Sequence, residues 1–151
     1  MAATSAAPFH DVADRRLRAV RAGLVALGVG QGFAALWALA APRSFYGSFP
    51  VSGAHWVSAL PPFNEHLVRD YGASFLALAV LALIAAWLAD RRLMQVTLIV
   101  WSIAAVPHLI FHLAHADEPA GAEGVLSLLT LGMNAVLPLV LLFLMPKEVS
   151  R

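Results

Sequence analysis

The sequence predicts an all-α integral membrane protein, a four-helix transmembrane bundle with both termini cytoplasmic. Three observations carry that prediction. Of the 151 residues, 60% are hydrophobic and 13% charged, against about 45–50% and 25% in soluble globular domains. Four apolar runs each reach the length of about 20 residues that a helix needs to cross the hydrocarbon core. The arginines and lysines gather beside alternate connections of those runs, the asymmetry expected of cytoplasmic loops.

The elements follow in chain order. Residues 1–21 form a cytoplasmic N-terminal segment, residues 22–146 one four-span domain and residues 147–151 a cytoplasmic tail. Met1 to Pro8 are small and polar enough to stay disordered. His10 to Arg21, with Arg15, Arg16, Arg18 and Arg21, would lie on the membrane surface as a basic amphipathic helix. The first span covers about 22–41, and Gly28 and Gly32 in it form a small-xxx-small pair for close helix packing. Its basic start and small residues near Ala38 to Ala41 imitate a cleaved secretory signal, but the apolar run is long for one, so retention as a span is expected.

The loop from Pro42 to Asn64 faces outward and brings Phe45, Tyr46, Phe49 and Trp56 to the interface, as in an aromatic belt. A short interfacial helix near Gly53 to Leu60 would fold it back over the bundle mouth, with His55 solvated or joining the site there. Pro61 and Pro62 end the loop, and Asn64 caps the second span, 67–89, with Glu65 in its positive first turn. Arg91 and Arg92 mark a short cytoplasmic turn before the third span, 93–114. Pro107 and Pro138 lie inside the third and fourth spans, where membrane helices tolerate them. The fourth span, 125–145, begins after Glu123 and carries Asn134 in its middle as interhelical glue. Lys147 and Arg151 follow it.

The site residues concentrate at one end. On a helix His108, His112 and His115 fall within about 60° of one another, so they share a face of the third span. His66 and Asp70, four residues apart, stack on the second span beside Arg69. The second span starts at the outer side and the third finishes there, so the two motifs lie at one depth. The cluster expected is His66, Asp70, His108, His112 and His115, with Glu65, Asp117 and Glu118 at its rim.

Cysteine is absent, so any metal must take nitrogen and oxygen ligands. Three imidazoles and a carboxylate suit Cu, Zn or Fe. His66, His108 and His112 would be ligands, Asp70 a fourth ligand or the acceptor that orients one of them, and His115 and Glu65 second choices. Two alternatives stand beside this reading. In one, the polar residues join helices or a partner chain in a non-catalytic subunit or scaffold, with Arg69 paired to Asp70. In the other, His66, His108 and His112 hold a haem or a quinone against Trp101.

No nucleophile elbow, phosphate loop, dinucleotide fingerprint or zinc-protease signature is present, and no internal repeat. The net charge of +1 gives no reason to expect a nucleic acid. The lipid bilayer is the expected partner, with a second copy or a membrane-complex subunit beside it. Heavy use of Ala, Leu, Val and Arg over Ile and Lys points to a GC-rich bacterium, and so to its plasma membrane.

With four short-looped spans, a first span ending in "ALAAPRSFYGSFP" and a second containing "RDYGASFLALAVLAL", the chain resembles the small four-helix membrane proteins of the DoxX type. That resemblance covers most of the chain and implies a membrane bundle with a link to quinone-coupled redox chemistry. "PHLIFHLAH" has no counterpart in it, so it assigns no site residue.

Overall fold

The computed structural model describes residues 7–116 and 121–146, with side chains from residue 12 onward. The expectations for residues 1–6, for Asp117 and Glu118, and for Lys147 and Arg151 lie outside these. Among the described residues there are five helices and no strand: α1 (Ala7–Ala40), α2 (Pro42–Ser48), α3 (Glu65–Leu88), α4 (Arg91–Ala114) and α5 (Gly121–Leu144). All but α2 are long and apolar enough to cross a membrane.

Boundaries follow the caps. Asn64 accepts a hydrogen bond from the Leu67 amide at 3.1 Å and Asp90 one from Leu93 at 2.8 Å, which starts α3 and α4 two residues earlier than hydropathy alone predicts. Ala89 ends α3 in the left-handed region, at φ 54°, so the α3–α4 turn needs only Ala89 and Asp90 outside helix.

Two expectations are corrected. The basic segment 10–21 is not a separate surface helix but the continuous beginning of α1, because nothing between Ala7 and Ala40 breaks the helical hydrogen bonding. The short helix of the long loop lies at Pro42–Ser48 rather than near 53–60. Proline in the first turn gives up an amide that would have no helical partner there and sets the helical φ. Residues 53–60 instead form turns, with the Ala59 amide donating to the His55 carbonyl and Leu60 to Val57.

The four long helices form two closely packed pairs. α1 lies against α3 most extensively and α4 against α5 next, each more than α1 touches α5 or α3 touches α4. Small residues set the first seam. A Cβ on Gly28 would lie 3.0 Å from the Ala79 carbonyl oxygen, and one on Gly72 would lie 2.9 Å from that of Ala35. Small residues at such crossings let backbones approach, which is how membrane helices gain packing without a hydrophobic drive between them.

The bundle has two unlike ends. At the arginine end, Leu24, Ala82, Met94, Leu98 and Trp101 fill a closed core across all four helices with Leu141. Arg21 Nε donates to the Ala86 carbonyl at 2.9 Å and Arg91 Nε to that of Pro146 at 2.7 Å. At the histidine end, where α1 turns into α2, Arg69 ties the seam by donating to the Leu39 carbonyl at 2.6 Å. Outward surfaces are apolar, with Phe143 88% exposed and Trp87 78%. Hydroxyls within the helices turn back on their own backbone, as Ser102 Oγ does on the Leu98 carbonyl at 2.8 Å.

Candidate functional site: a cleft between the helix pairs

The two pairs part toward the histidine end and enclose a cavity of about 850 Å³. Its floor and walls are Leu27 and Ala34 of α1, Val68 and Phe75 of α3, and Leu131 and Leu137 of α5. Phe45 of α2 and Phe49, Trp56, Val57 and Leu60 of the following loop line it as well, so the loop does fold back over the bundle. The aromatic rings pack against one another in stacked, tilted and edge-to-face contacts. Phe45 and Phe49 have centroids 4.8 Å apart, Phe45 and Tyr71 5.6 Å, and Phe49 and Trp56 6.1 Å. Thus Phe45, Phe49 and Trp56, expected as an interfacial belt on a loop that folds back over the bundle mouth, line the site itself.

Polar groups enter this apolar space from each long helix. Gln31 of α1 donates from Nε2 to the Tyr71 hydroxyl of α3 at 2.8 Å, and both line the cavity. The Tyr71 proton remains available for another acceptor. His108 and His112 of α4 line it one turn apart, their rings stacked at 4.9 Å and 26°. α5 contributes Ser127, Thr130 and Asn134, and α3 contributes Asp70 and Ser74.

The space opens sideways on two flanks. Ala26 and Gly30 on α1, with Thr130 and Met133 on α5, are both cavity-lining and exposed. Leu67, Asp70 and Ser74 on α3 have the same double character and are joined by the half-buried His108 and His112 of α4. The first flank is small and mostly apolar; the second is polar.

The expected metal cluster is not assembled as such. Asp70, His108 and His112 do share the cavity, so the depth argument is right for them. Among the described residues, however, no three His, Asp or Glu side chains group so as to hold one ion. His66 is 86% exposed and engages Asp70 Oδ2 through Nε2 at 3.2 Å on the outside of α3. Glu65 is bound to Arg69, Oε1 lying 3.0 Å from both Nε and NH2. Asp70 therefore pairs with His66, and the Arg69–Asp70 ion pair is replaced by Arg69–Glu65, both at the i, i+4 spacing that brings helix side chains together. His115 caps α4, its Nδ1 2.8 Å from the Phe111 carbonyl oxygen and its ring stacked on Phe111 at 4.3 Å.

Trp101 is fully buried in the closed core and donates from Nε1 to Asn134 Oδ1 at 3.0 Å. It is not a wall of the cavity. It acts through Asn134, whose place between α4 and α5 is the glue role expected of it. His55 stays on the exposed loop, its amide donating to Glu123 Oε2 at 3.0 Å.

Gln31, Tyr71 and Ser127 were not singled out from sequence as site residues. The signal was there in part: polar side chains within apolar spans are costly and mark functional positions. No family profile, characterised protein or solved structure matches the chain. The reading of the site therefore rests on its geometry.

Proposed function

We propose that the chain is a multi-pass bacterial plasma-membrane protein, both termini cytoplasmic, whose histidine-end cleft binds a lipid-soluble molecule with an apolar body and a hydrogen-bonding head, of the quinone class. One observation carries the reading: a cavity of about 850 Å³ that is walled mainly by apolar side chains and receives a few polar groups from four helices. Small-molecule sites have that make-up and volumes of about 300–1,000 Å³. A molecule dissolved in the bilayer would enter past Gly30 and Met133. Its ring would pack against Phe45, Phe49 and Trp56, and its polar oxygens would meet His108, His112 and the Tyr71 hydroxyl. Neutral imidazole both donates and accepts, so the pair suits a carbonyl and its reduced hydroxyl alike.

The test is titration of the detergent-purified protein with a short-tailed benzoquinone, followed by quenching of tryptophan fluorescence, since Trp56 lines the cleft. Saturable quenching is expected. Gly30→Phe, whose new side chain starts in open space and grows across the mouth, should weaken it at least tenfold. The double change His108→Ala and His112→Ala should weaken it about tenfold, from two hydrogen bonds at about 0.5–1.5 kcal/mol each. Quenching without saturation, or a Gly30→Phe protein that binds as the parent does, would sink the reading.

The stacked imidazoles of His108 and His112 favour a second reading, an ion held by that pair and completed by ligands from outside the chain. Metal content by mass spectrometry on tag-free protein decides it: near-stoichiometric Cu, Zn or Fe that disappears in His112→Ala supports it, and a metal-free protein after reconstitution removes it.

A further inference from the structure

A second depression, of about 380 Å³, lies between α1 and α3 at the arginine end and shares no lining residue with the cleft. α1 supplies Arg18, Arg21, Ala22 and Val25, a single helical face by their spacing. α3 supplies Leu83, Ala86 and Trp87. The two arginines stand at one end of an apolar trough, and Val25, Leu83 and Trp87 are all exposed along it.

The cations are poised rather than spent. Arg21 Nε is fixed on the Ala86 carbonyl, near the negative C-terminal end of α3, which orients the guanidinium and commits only one of its five donors. Among the described residues neither Arg18 nor Arg21 forms an ion pair. Among the described residues the carboxylates closest in sequence to the groove's lining are Asp14, one turn before Arg18, and Asp90, which is occupied in capping α4. A planar guanidinium matches the oxygens of a phosphate in bidentate fashion. An exposed tryptophan beside it is the side chain that settles at the headgroup level of a bilayer.

We propose that this groove is a binding site for one anionic phospholipid, its phosphate held by Arg18 and Arg21 and an acyl chain laid along Val25 and Leu83. The proposal rests on the membrane placement given above but not on the cleft or its ligand. The trough is the reason for a lipid rather than a soluble phosphate: two arginines alone would serve either, but an apolar channel running on from them has a use only for a chain.

The full-length protein in mild detergent would be titrated with phosphatidylglycerol and with phosphatidylcholine of identical acyl chains, and bound lipid read by native mass spectrometry. One phosphatidylglycerol held at least tenfold more tightly than phosphatidylcholine is expected. Arg18→Gln and Arg21→Gln should each weaken it about fivefold, from about 1 kcal/mol per basic side chain near a lipid surface. Ala22→Phe, which keeps both cations but fills the trough, should weaken it too. Equal binding of the two lipids, unchanged binding in Arg18→Gln, or displacement by equimolar glycerol phosphate would overturn the proposal. The benzoquinone titration on the same variants separates the two sites: it should be unchanged in each, and it fails independently if the cleft reading is wrong.

Discussion

Gly72 and Gly30 are both glycines within helices of the same tight pair, yet a methyl group has opposite consequences at the two. At Gly72 the added carbon would sit 2.8 Å from Leu39 Cγ, 2.9 Å from the Ala35 carbonyl oxygen and 3.1 Å from the Leu39 amide nitrogen. Two of those neighbours are backbone atoms that cannot turn aside, so α1 and α3 must separate. Gly72→Ala should cost about 1–3 kcal/mol, as overpacking does. At Gly30 nothing lies within 4 Å, and Gly30→Ala should gain about 0.5–1 kcal/mol from the lower entropy of the unfolded chain. Unfolding midpoints of the two variants in one detergent check the pair. A Gly72→Ala protein as stable as the parent would show that the seam is looser than its backbone distances imply. The same local accounting explains Trp101. Its indole N–H is buried and must find an acceptor, Asn134 is that acceptor, and the ring is thereby held in the core rather than offered to a ligand.

At the scale of elements, the segment between α2 and α3 covers one side of the cleft. Trp56, Val57 and Leu60 line the cavity, and the segment that carries them is tied to α5 where the His55 amide donates to the Glu123 carboxylate. The tie is exposed, so its worth is about 1 kcal/mol at most. Removing it should act on exchange rather than on folding. Glu123→Ala is expected to speed dissociation of the benzoquinone probe about fivefold in stopped-flow fluorescence, with the unfolding midpoint unchanged. An unaltered dissociation rate would mean that the ligand leaves only past Gly30 and Met133. Arg69 plays the opposite part. Its bond to Glu65 within α3 holds its guanidinium in place, and its bond to the Leu39 carbonyl ties the start of α3 to the end of α1.

For the whole molecule the main question is orientation. The arginine end brings together Arg15, Arg16, Arg18 and Arg21 on α1 with Arg91 and Arg92 at the α3–α4 turn, and the positive-inside rule predicts a cytoplasmic position for it. The natural absence of cysteine makes the check direct, because single cysteines can be introduced without background. In intact cells Ser52→Cys, at the histidine end, should react with a membrane-impermeant maleimide, and Arg92→Cys should react only after permeabilisation. The reverse pattern would place the cleft mouth in the cytoplasm. The division of the bundle into a closed arginine half and an open histidine half also assigns the labour. The core of Leu24, Met94, Leu98 and Trp101 holds the pairs together, which leaves the cleft proposed for a ligand to the other half.

The number of long helices, their approximate limits and the grouping of His108 and His112 with Asp70 at one end were all legible along the chain. Hydropathy is a transfer free energy summed over consecutive residues, and helix spacing and caps are local, so the Asn64 cap and the His66–Asp70 pair could be read without a fold. Tertiary structure alone decided which helices draw close and which stay apart. Between apolar helices in lipid no hydrophobic drive sets the partners, and the contact depends on the shapes of two faces meeting. That is why Gly72, read along the chain only as part of "RDYG", became a point of close backbone approach in the α1–α3 seam. It is also why His66, Glu65 and His115 lie outside the cavity while Gln31, Tyr71 and Ser127 line it: a helical wheel gives each residue's angle on its own helix, and the parting of the two pairs sets which angles face one another.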